Sequence, residues 1–454
     1  MPAWHKRGDG GPGIVANLVI AAMIAAGFAL TLYVFYPGVM NFDARYVYSY
    51  IAPHTYGDWQ SPVMTVLWGL IDPIAPGSAS MFLLIATVYW LSFAVLALAV
   101  ARKSVWLGML LPLLAITPPA FALLGMIWRD VLFAAIWLAA AALTYAAAEC
   151  SNRARLPAQG VALCLLGLGV LLRPNALPAA PLLAAFIFWP TRFAWKRTAL
   201  LYVPAALAMF GLVQVVYYGM LRATHDHPLH SILVYDLAGI SHFSGENQFP
   251  VTWTPEQNTQ LIGPCYQPIE WDGYWTHDCI FVMQRLEHDK IFGTPKLTDA
   301  WWHAVIRHPV AYAQHRLALM WNFLTADNRV MFTRDIEHPG RTVMGDKPAF
   351  MAFKAVHDAL LPTPVFRAGT WLLVCIAICA FGWRRRETTE GAFALGVCGS
   401  AVFYVMTYLP FGVASDYRYA YWAALAGLTG AVVVFAPRTI TTPERAPAPP
   451  PRTA

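Results

Sequence analysis

Stretches of about twenty apolar residues recur along this chain, and no other feature constrains its fold so tightly. A bilayer core of about 30 Å takes roughly 20 residues of helix to cross, and backbone inside it must satisfy its own hydrogen bonds. Such runs lie at 14–36, 80–101, 105–124, 128–148, 160–173, 176–190, 199–220, 366–383, 391–410 and 420–436. The expected fold class is therefore an all-α polytopic membrane protein of about ten transmembrane helices. The fifth and sixth runs are short and broken by Pro174 and Pro178. Residues 62–73 (PVMTVLWGLIDP) are too few to span and read as an interfacial or re-entrant helix returning from the first outer loop.

Composition agrees. Charged residues make up 12% of the 454, hydrophobic ones 58%, and the mean hydropathy is +0.49. Soluble domains carry about 25% charge, so a soluble enzyme, a disordered regulator, a collagen-like chain and a nucleic-acid module are excluded. The net charge of +6 forms no single patch. Lys6 and Arg7, Arg102–Lys103, Arg153 and Arg155, Arg192, Lys196 and Arg197, and Arg384–Arg386 sit between runs, all on one side of a ten-span topology. The positive-inside rule makes that side cytoplasmic, with both termini there. The first run lacks a small-x-small cleavage site and reads as an uncleaved anchor. Gly8–Gly13 (GDGGPG) matches a dinucleotide fingerprint only formally, since no strand precedes it.

The expected division is a membrane half at 1–220 with an outer loop at 37–79, an outer domain at 221–365, further membrane helices at 366–436 and a Pro-rich disordered tail at 437–454. Within the outer domain Leu297–Met320 reads as helical, with Pro309 a boundary or kink. Cys164, Cys375, Cys379 and Cys398 fall in spans and Cys150 at a cytoplasmic end; only Cys265 and Cys279 are outside. In an oxidising compartment these two should pair, a loop closure worth roughly 3 kcal/mol.

Ionisable groups at a membrane boundary are costly unless they are used. The outer boundary holds Asp43, Arg45, Asp58, Arg129, Asp130, Arg173, Asp416 and Arg418. Brought together by a helix bundle, they would offer cations suited to phosphate and carboxylates suited to base catalysis. Each also has a local explanation. Arg129–Asp130 and Asp416–Arg418 could be neighbouring ion pairs, and Asp43 could pair with Arg45. Arg173 could snorkel outward, and Asp58 could cap the 62–73 helix. His225, Asp226, His227 and His230 carry metal-binding atoms, but Pro228 breaks the helix that would align them, and a solvated loop is expected. His303, His308 and His315 read as packing or surface residues. No Walker loop, HExxH, GxSxG or CxxC is present.

Several short stretches resemble a known group. Tyr36–Trp68 (YPGVMNFDARYVYSYIAPHTYGDWQSPVMTVLW) is similar to the first outer loop of bacterial GT-C membrane glycosyltransferases, whose layout in aminoarabinose transferases and protein mannosyltransferases the chain resembles. Trp128–Phe133 (WRDVLF), Leu172–Asn175 (LRPN), Ser415–Tyr419 (SDYRY) and the HPxAY element at His308–Tyr312 resemble further motifs of that group, in order along the chain. Gln60 departs from it, standing where the group often has His. Gln60 can hydrogen-bond but cannot titrate.

The resemblance implies a GT-C-like bundle with an interfacial helix and a small outer domain. It implies inverting transfer of a sugar from a polyprenyl-phosphate donor to an envelope acceptor (lipid, glycan or protein) at the outer face of a bacterial inner membrane. Asp43 would be the general base. Arg129 and Arg418 would hold the departing phosphate, with Arg173 a further candidate. Asp130, Asp58, Gln60 and Arg45 would orient substrates or arginines. No cofactor or obligatory metal is expected, although a divalent ion is compatible with the sequence, and the partners are the lipid donor, the acceptor and membrane lipids, with no nucleic acid. Neither sugar nor acceptor is specified. A transporter or flippase for lipid-linked sugars is the alternative; it predicts related halves, which the sequence lacks, and has no use for a carboxylate at Asp43. A non-catalytic scaffold would leave the clustered charges unexplained.

Overall fold

The structure, a computed structural model, describes residues 13–276, 279–326, 331–334 and 344–437. Lys6, Arg7, residues 8–12 of the glycine-rich stretch and residues 438–454 of the tail lie outside them. The described chain is an α-helical multi-pass membrane protein. Six helices are long and apolar enough to cross a bilayer: Ile14–Phe35, Ser78–Ala101, Arg129–Ala147, Asn152–Leu172, Trp195–Met220 and Thr389–Phe411. Val105–Ala115 and Pro118–Gly125 make a seventh if taken as one span bent by 59°.

The expected count of about ten is therefore not reached by length and composition. Proline and the turns before it are the reason. The 176–190 run yields only Ala180–Phe188, which follows a turn at Pro174–Ala176 and stops before Pro190. The 366–383 run becomes Ala368–Trp383 after a turn at Pro364–Phe366. The 420–436 run becomes Tyr421–Val433 after a turn at Tyr417–Ala420. Residues 62–73 form a helix at Pro62–Ile71, N-capped by the Ser61 hydroxyl, which accepts from Met64 N at 3.2 Å.

Arg129–Ala147 is the axis of the bundle and is almost wholly buried. Eight alanines in this helix let neighbours approach closely, and it packs against Ser78–Ala101, Asn152–Leu172 and Tyr421–Val433. One contact demands glycine. Trp137 donates from Nε1 to Leu166 O at 3.2 Å, and a Cβ on Gly169 would sit 2.1 Å from that nitrogen. Trp195–Met220, at the periphery, is almost wholly unburied.

A second hydrophobic core, built around Tyr235, Ile240, Leu261, Trp271, Tyr274 and Leu286, lies in the 221–365 stretch, the expected outer segment. Its helices are Leu229–Ser244, closed by Gly245 at φ 74°, then Pro255–Ile262, Phe281–His288, Pro295–Arg307 and Pro309–Thr325. Pro309 thus separates two helices across the 297–320 stretch. Cys265 and Cys279 are joined by a disulfide. Further on, Phe323, Met344, Phe350 and Phe366 pack into the membrane core instead.

Candidate functional site

The chain converges at one end of the bundle. Asn41 caps the Phe42–Ser49 helix by accepting from Ala44 N at 2.9 Å, which sets Asp43 in its first turn. The loop before it is held by a parallel bridge: Val39 N donates to Gly125 O at 2.8 Å and Ile127 N to Val39 O at 3.0 Å. That bridge brings Asp43 beside the start of the axial helix, where Arg129 and Asp130 lie.

Asp43 Oδ2 accepts from Arg418 Nη1 at 2.6 Å, across 375 positions of sequence, and Oδ1 accepts from Gln60 Nε2 at 3.2 Å. Its partner is not Arg45, which stands two residues further on the same helix and so about 200° round it. Burial raises the Asp43 carboxyl, but Arg418, Arg129 and Arg173 outweigh it and hold the group below the ordinary carboxylate range. Gln60 is buried, and its Oε1 has no hydrogen-bond partner among the described residues.

Arg418 is fixed on every side. Nε pairs with Asp416 Oδ2 at 3.1 Å, Nη2 donates to Tyr419 OH at 3.0 Å, and the guanidinium stands 4.9 Å from the ring centres of both Trp128 and Tyr419. Asp416 also takes the backbone N–H of Arg418 at 3.0 Å. The local pairing of Asp416 with Arg418 is thus present, and Arg418 reaches Asp43 besides.

The other two arginines differ from each other. Arg173 does not snorkel outward: it is buried, pairs with Asp130 Oδ1 at 2.9 Å, and donates to Tyr404 OH at 3.2 Å and Tyr408 OH at 2.8 Å. Asp130 is therefore engaged by Arg173, not by its neighbour Arg129. Arg129 is half-buried, close enough to feel the charges of Asp43, Asp130 and Arg173, and makes no hydrogen bond or ion pair among the described residues.

Asp58 is placed elsewhere. Ser61, not Asp58, caps the Pro62–Ile71 helix. Asp58 Oδ2 accepts from Tyr218 OH at 2.7 Å and Oδ1 from Asp226 N at 2.6 Å. Asp226 in turn accepts from Tyr46 OH at 3.3 Å. This knot ties the first outer loop to the segment leaving Trp195–Met220. His225, His227 and His230 form a ladder of rings from Tyr218 to Phe292, and no group of three metal-binding side chains occurs among the described residues.

Sequence reasoning missed what holds the Arg418 loop. The outer segment grips residues 412–415 at three points. Arg316 Nη1 donates to Gly412 O at 2.7 Å, Trp271 N to Val413 O at 3.0 Å, and Ser415 N to Ile269 O at 2.7 Å. Arg316 is buried and pairs with Asp236 at 2.6 Å, and Asp236 also meets His315 at 3.2 Å and Trp301 Nε1 at 2.7 Å. Burial holds the His315 imidazole below its ordinary pKa. The same contacts bring Glu270 and Asp272 to the site. Burial, then Glu270 and Asp43, push Asp272 up to about 6, with Arg418 opposing. His308–Tyr312 immediately precedes His315 and Arg316, and was the one signal in the outer segment that pointed here.

Fold and site define a multi-pass helical membrane protein with a preorganised cluster of arginines, carboxylates and tyrosines at one end of its bundle. No protein-family model matches the chain, and no curated protein matches it. Among solved structures it is similar to the archaeal oligosaccharyltransferase AglB of Archaeoglobus fulgidus in complex with an inhibitory peptide and a dolichol-phosphate. The TM-score is 0.39 and the identity 11%, over 93% of this chain and 50% of that one. The apo form of the Archaeoglobus fulgidus oligosaccharyltransferase gives 0.39 and 13%, over 91% and 50%. The chain spans about half the length of these structures, and likeness at this level decides neither fold nor activity.

Proposed function

We propose that the chain is a membrane glycosyltransferase that moves a sugar, with inversion, from a polyprenyl-phosphate donor to a hydroxyl of an envelope acceptor. The observation that carries this reading is the Asp43 carboxylate, held between Arg418 and Gln60, with Arg129, unpaired among the described residues, beside it. Asp43 takes the acceptor proton as the acceptor oxygen bonds the anomeric carbon. The bond from that carbon to the phosphate oxygen breaks on the opposite side, and the phosphate leaves with the electron pair. Arg129 and Arg418 offset its growing charge.

Asp43 is a weak base while Arg418 is bound to it. A donor phosphate that recruits Arg418 removes that stabilisation and adds a negative charge nearby, so donor binding raises the basicity of Asp43 as the acceptor arrives. Arg173 and Asp130 are positioning residues in this scheme, and the knot at Asp58 orders the first outer loop. The arginines supply the countercharge that a divalent ion would otherwise bring, so turnover should survive chelation by EDTA. A lipid donor stays in the bilayer, which agrees with a site at the end of the bundle. We place that end on the periplasmic side of a bacterial inner membrane, with the termini opposite.

The test is turnover of mixed polyprenyl-phosphate sugars by purified protein, followed by mass spectrometry with an envelope extract as the acceptor source. Wild type should consume one donor, and Asp43→Asn should bind that donor but turn it over at least 100-fold more slowly, the lower end of a general base's usual contribution, about 10²–10⁴. Full turnover by Asp43→Asn would remove the assigned base. Binding by wild type without consumption would favour a carrier of lipid-linked sugars.

A further inference from the structure

The Asp43 site lies at one end of the bundle; two neighbouring cavities lie at the other. Asn152–Leu172 carries Arg155 in its first turn and ends at Arg173, its C-cap, so the two arginines are 18 residues, or about 27 Å of helix rise, apart. Near Arg155 an apolar groove of about 280 Å³ runs between the helices Ala180–Phe188 and Trp195–Gln214. Pro181, Ala184 and Ala185 form one wall, and Leu201, Pro204 and Ala205 the other. Small residues and prolines leave this channel where larger side chains would have closed it. Phe188 and Trp189 also line a neighbouring polar cavity of about 450 Å³, together with Arg155 and Arg192.

The charge at the groove's end is one-sided. No carboxylate lines either cavity. Arg197 stands over the Trp189 ring at 5.9 Å, and Phe193 N donates to Arg386 O at 2.6 Å, which brings the Arg384–Arg386 turn alongside. Among the described residues Arg155 engages only Asn152, through Nη2 at 2.5 Å, and Arg386 has Glu387 at 3.6 Å. Arg192 is exposed and makes no side-chain hydrogen bond or ion pair among the described residues. The cavity keeps its shape because Gln159 Nε2 donates to Ile187 O at 2.6 Å and so ties the two short helix ends together.

We propose that this groove and cavity form a binding site for one anionic glycerophospholipid, with an acyl chain between the two helices and the phosphate between Arg155 and Arg192. One wall of the groove belongs to Trp195–Met220, the least buried of the spans, and the other to the largely buried Ala180–Phe188, so a chain from the bilayer enters along the exposed helix without leaving its solvent. Guanidinium groups match phosphate oxygens in pairs, and basic pockets between membrane helices take anionic head groups. The lipid belongs to the leaflet opposite the Asp43 end.

The experiment uses the full chain in nanodiscs of phosphatidylcholine with a minor share of phosphatidylglycerol, and reads protein-bound lipid by native mass spectrometry. Wild type should retain one phosphatidylglycerol in preference to phosphatidylcholine. The double variant Arg155→Gln/Arg192→Gln should retain it roughly tenfold less, about 1.4 kcal/mol, and Ala205→Trp, which fills the groove without touching charge, should lose it as well. Unchanged retention in the double variant, or equal retention of the two lipids by wild type, overturns the proposal. So does normal retention by Ala205→Trp combined with displacement by inorganic phosphate, because the site would then be a bare anion patch. None of these readouts depends on transferase activity.

Discussion

Three arginines face one end of this bundle, and their different partners separate them into different jobs. Arg173 is saturated by Asp130, Tyr404 and Tyr408, so Arg173→Gln strands a buried carboxylate and should lower the thermal midpoint strongly. Arg129→Gln should leave the midpoint nearly unchanged and raise the donor KM about 10- to 100-fold, the value of a lost hydrogen bond to a charged group. Equal effects on stability from the two variants would refute the distinction. Asp272 adds a pH dependence. It loses its charge as pH falls through about 6, which removes a negative charge near Arg418 and favours an anionic donor. A charge roughly 8 Å away in a water-like medium is worth about 0.5 kcal/mol, or about twofold. Donor KM should therefore rise about twofold as pH increases through 6, and Asp272→Asn should keep it low on both sides, as measured by initial rates across pH.

Among elements, the loop from Gly412 to Arg418 has the largest consequence for its size. Its far end places Arg418, and its near end is held by a buried Asp236–Arg316–His315 cluster in the outer segment. Arg316→Met leaves Asp236 buried without its cation, a loss of about 3–5 kcal/mol that thermal or denaturant unfolding would register. Arg316→Lys keeps the pair with Asp236 but not the fork that also reaches Gly412; turnover should fall while most stability remains. If both substitutions leave turnover at wild-type level, the loop is positioned by something else. The sequence offered little of this. Asp43 and Arg418 meet across 375 positions, and each had a nearer candidate partner of opposite charge. Proximity along the chain favours local ion pairs, whereas a bundle pairs whatever its helix ends present at one level. The convergence of charges was legible, because boundary charges are scarce in such an apolar chain; the pairing was not.

At the scale of the whole molecule, hydropathy reveals which segments are membrane-like but not how many cross. Runs such as 176–190 and 366–383 are apolar throughout, yet proline and short turns reduce their helices to 9 and 16 residues. Charge patterning remains the guide to sidedness, and it is testable directly. With Cys150 and Cys164 replaced by serine, Thr224→Cys and Arg155→Cys in intact cells should label with an impermeant maleimide only from outside and only after permeabilisation, respectively. The reverse pattern would invert the proposed orientation. The outer segment is also not a detachable module. Its backbone is laced to residues 412–415, which belong by sequence to the membrane part. A chimera that exchanged residues 221–365 between two such proteins would sever that lacing unless the distant 412–415 stretch travelled with it. Evolution faces the same restriction: the outer segment can vary freely over its surface, but where it grips the loop it must change in step with a piece of chain 96 to 146 positions away.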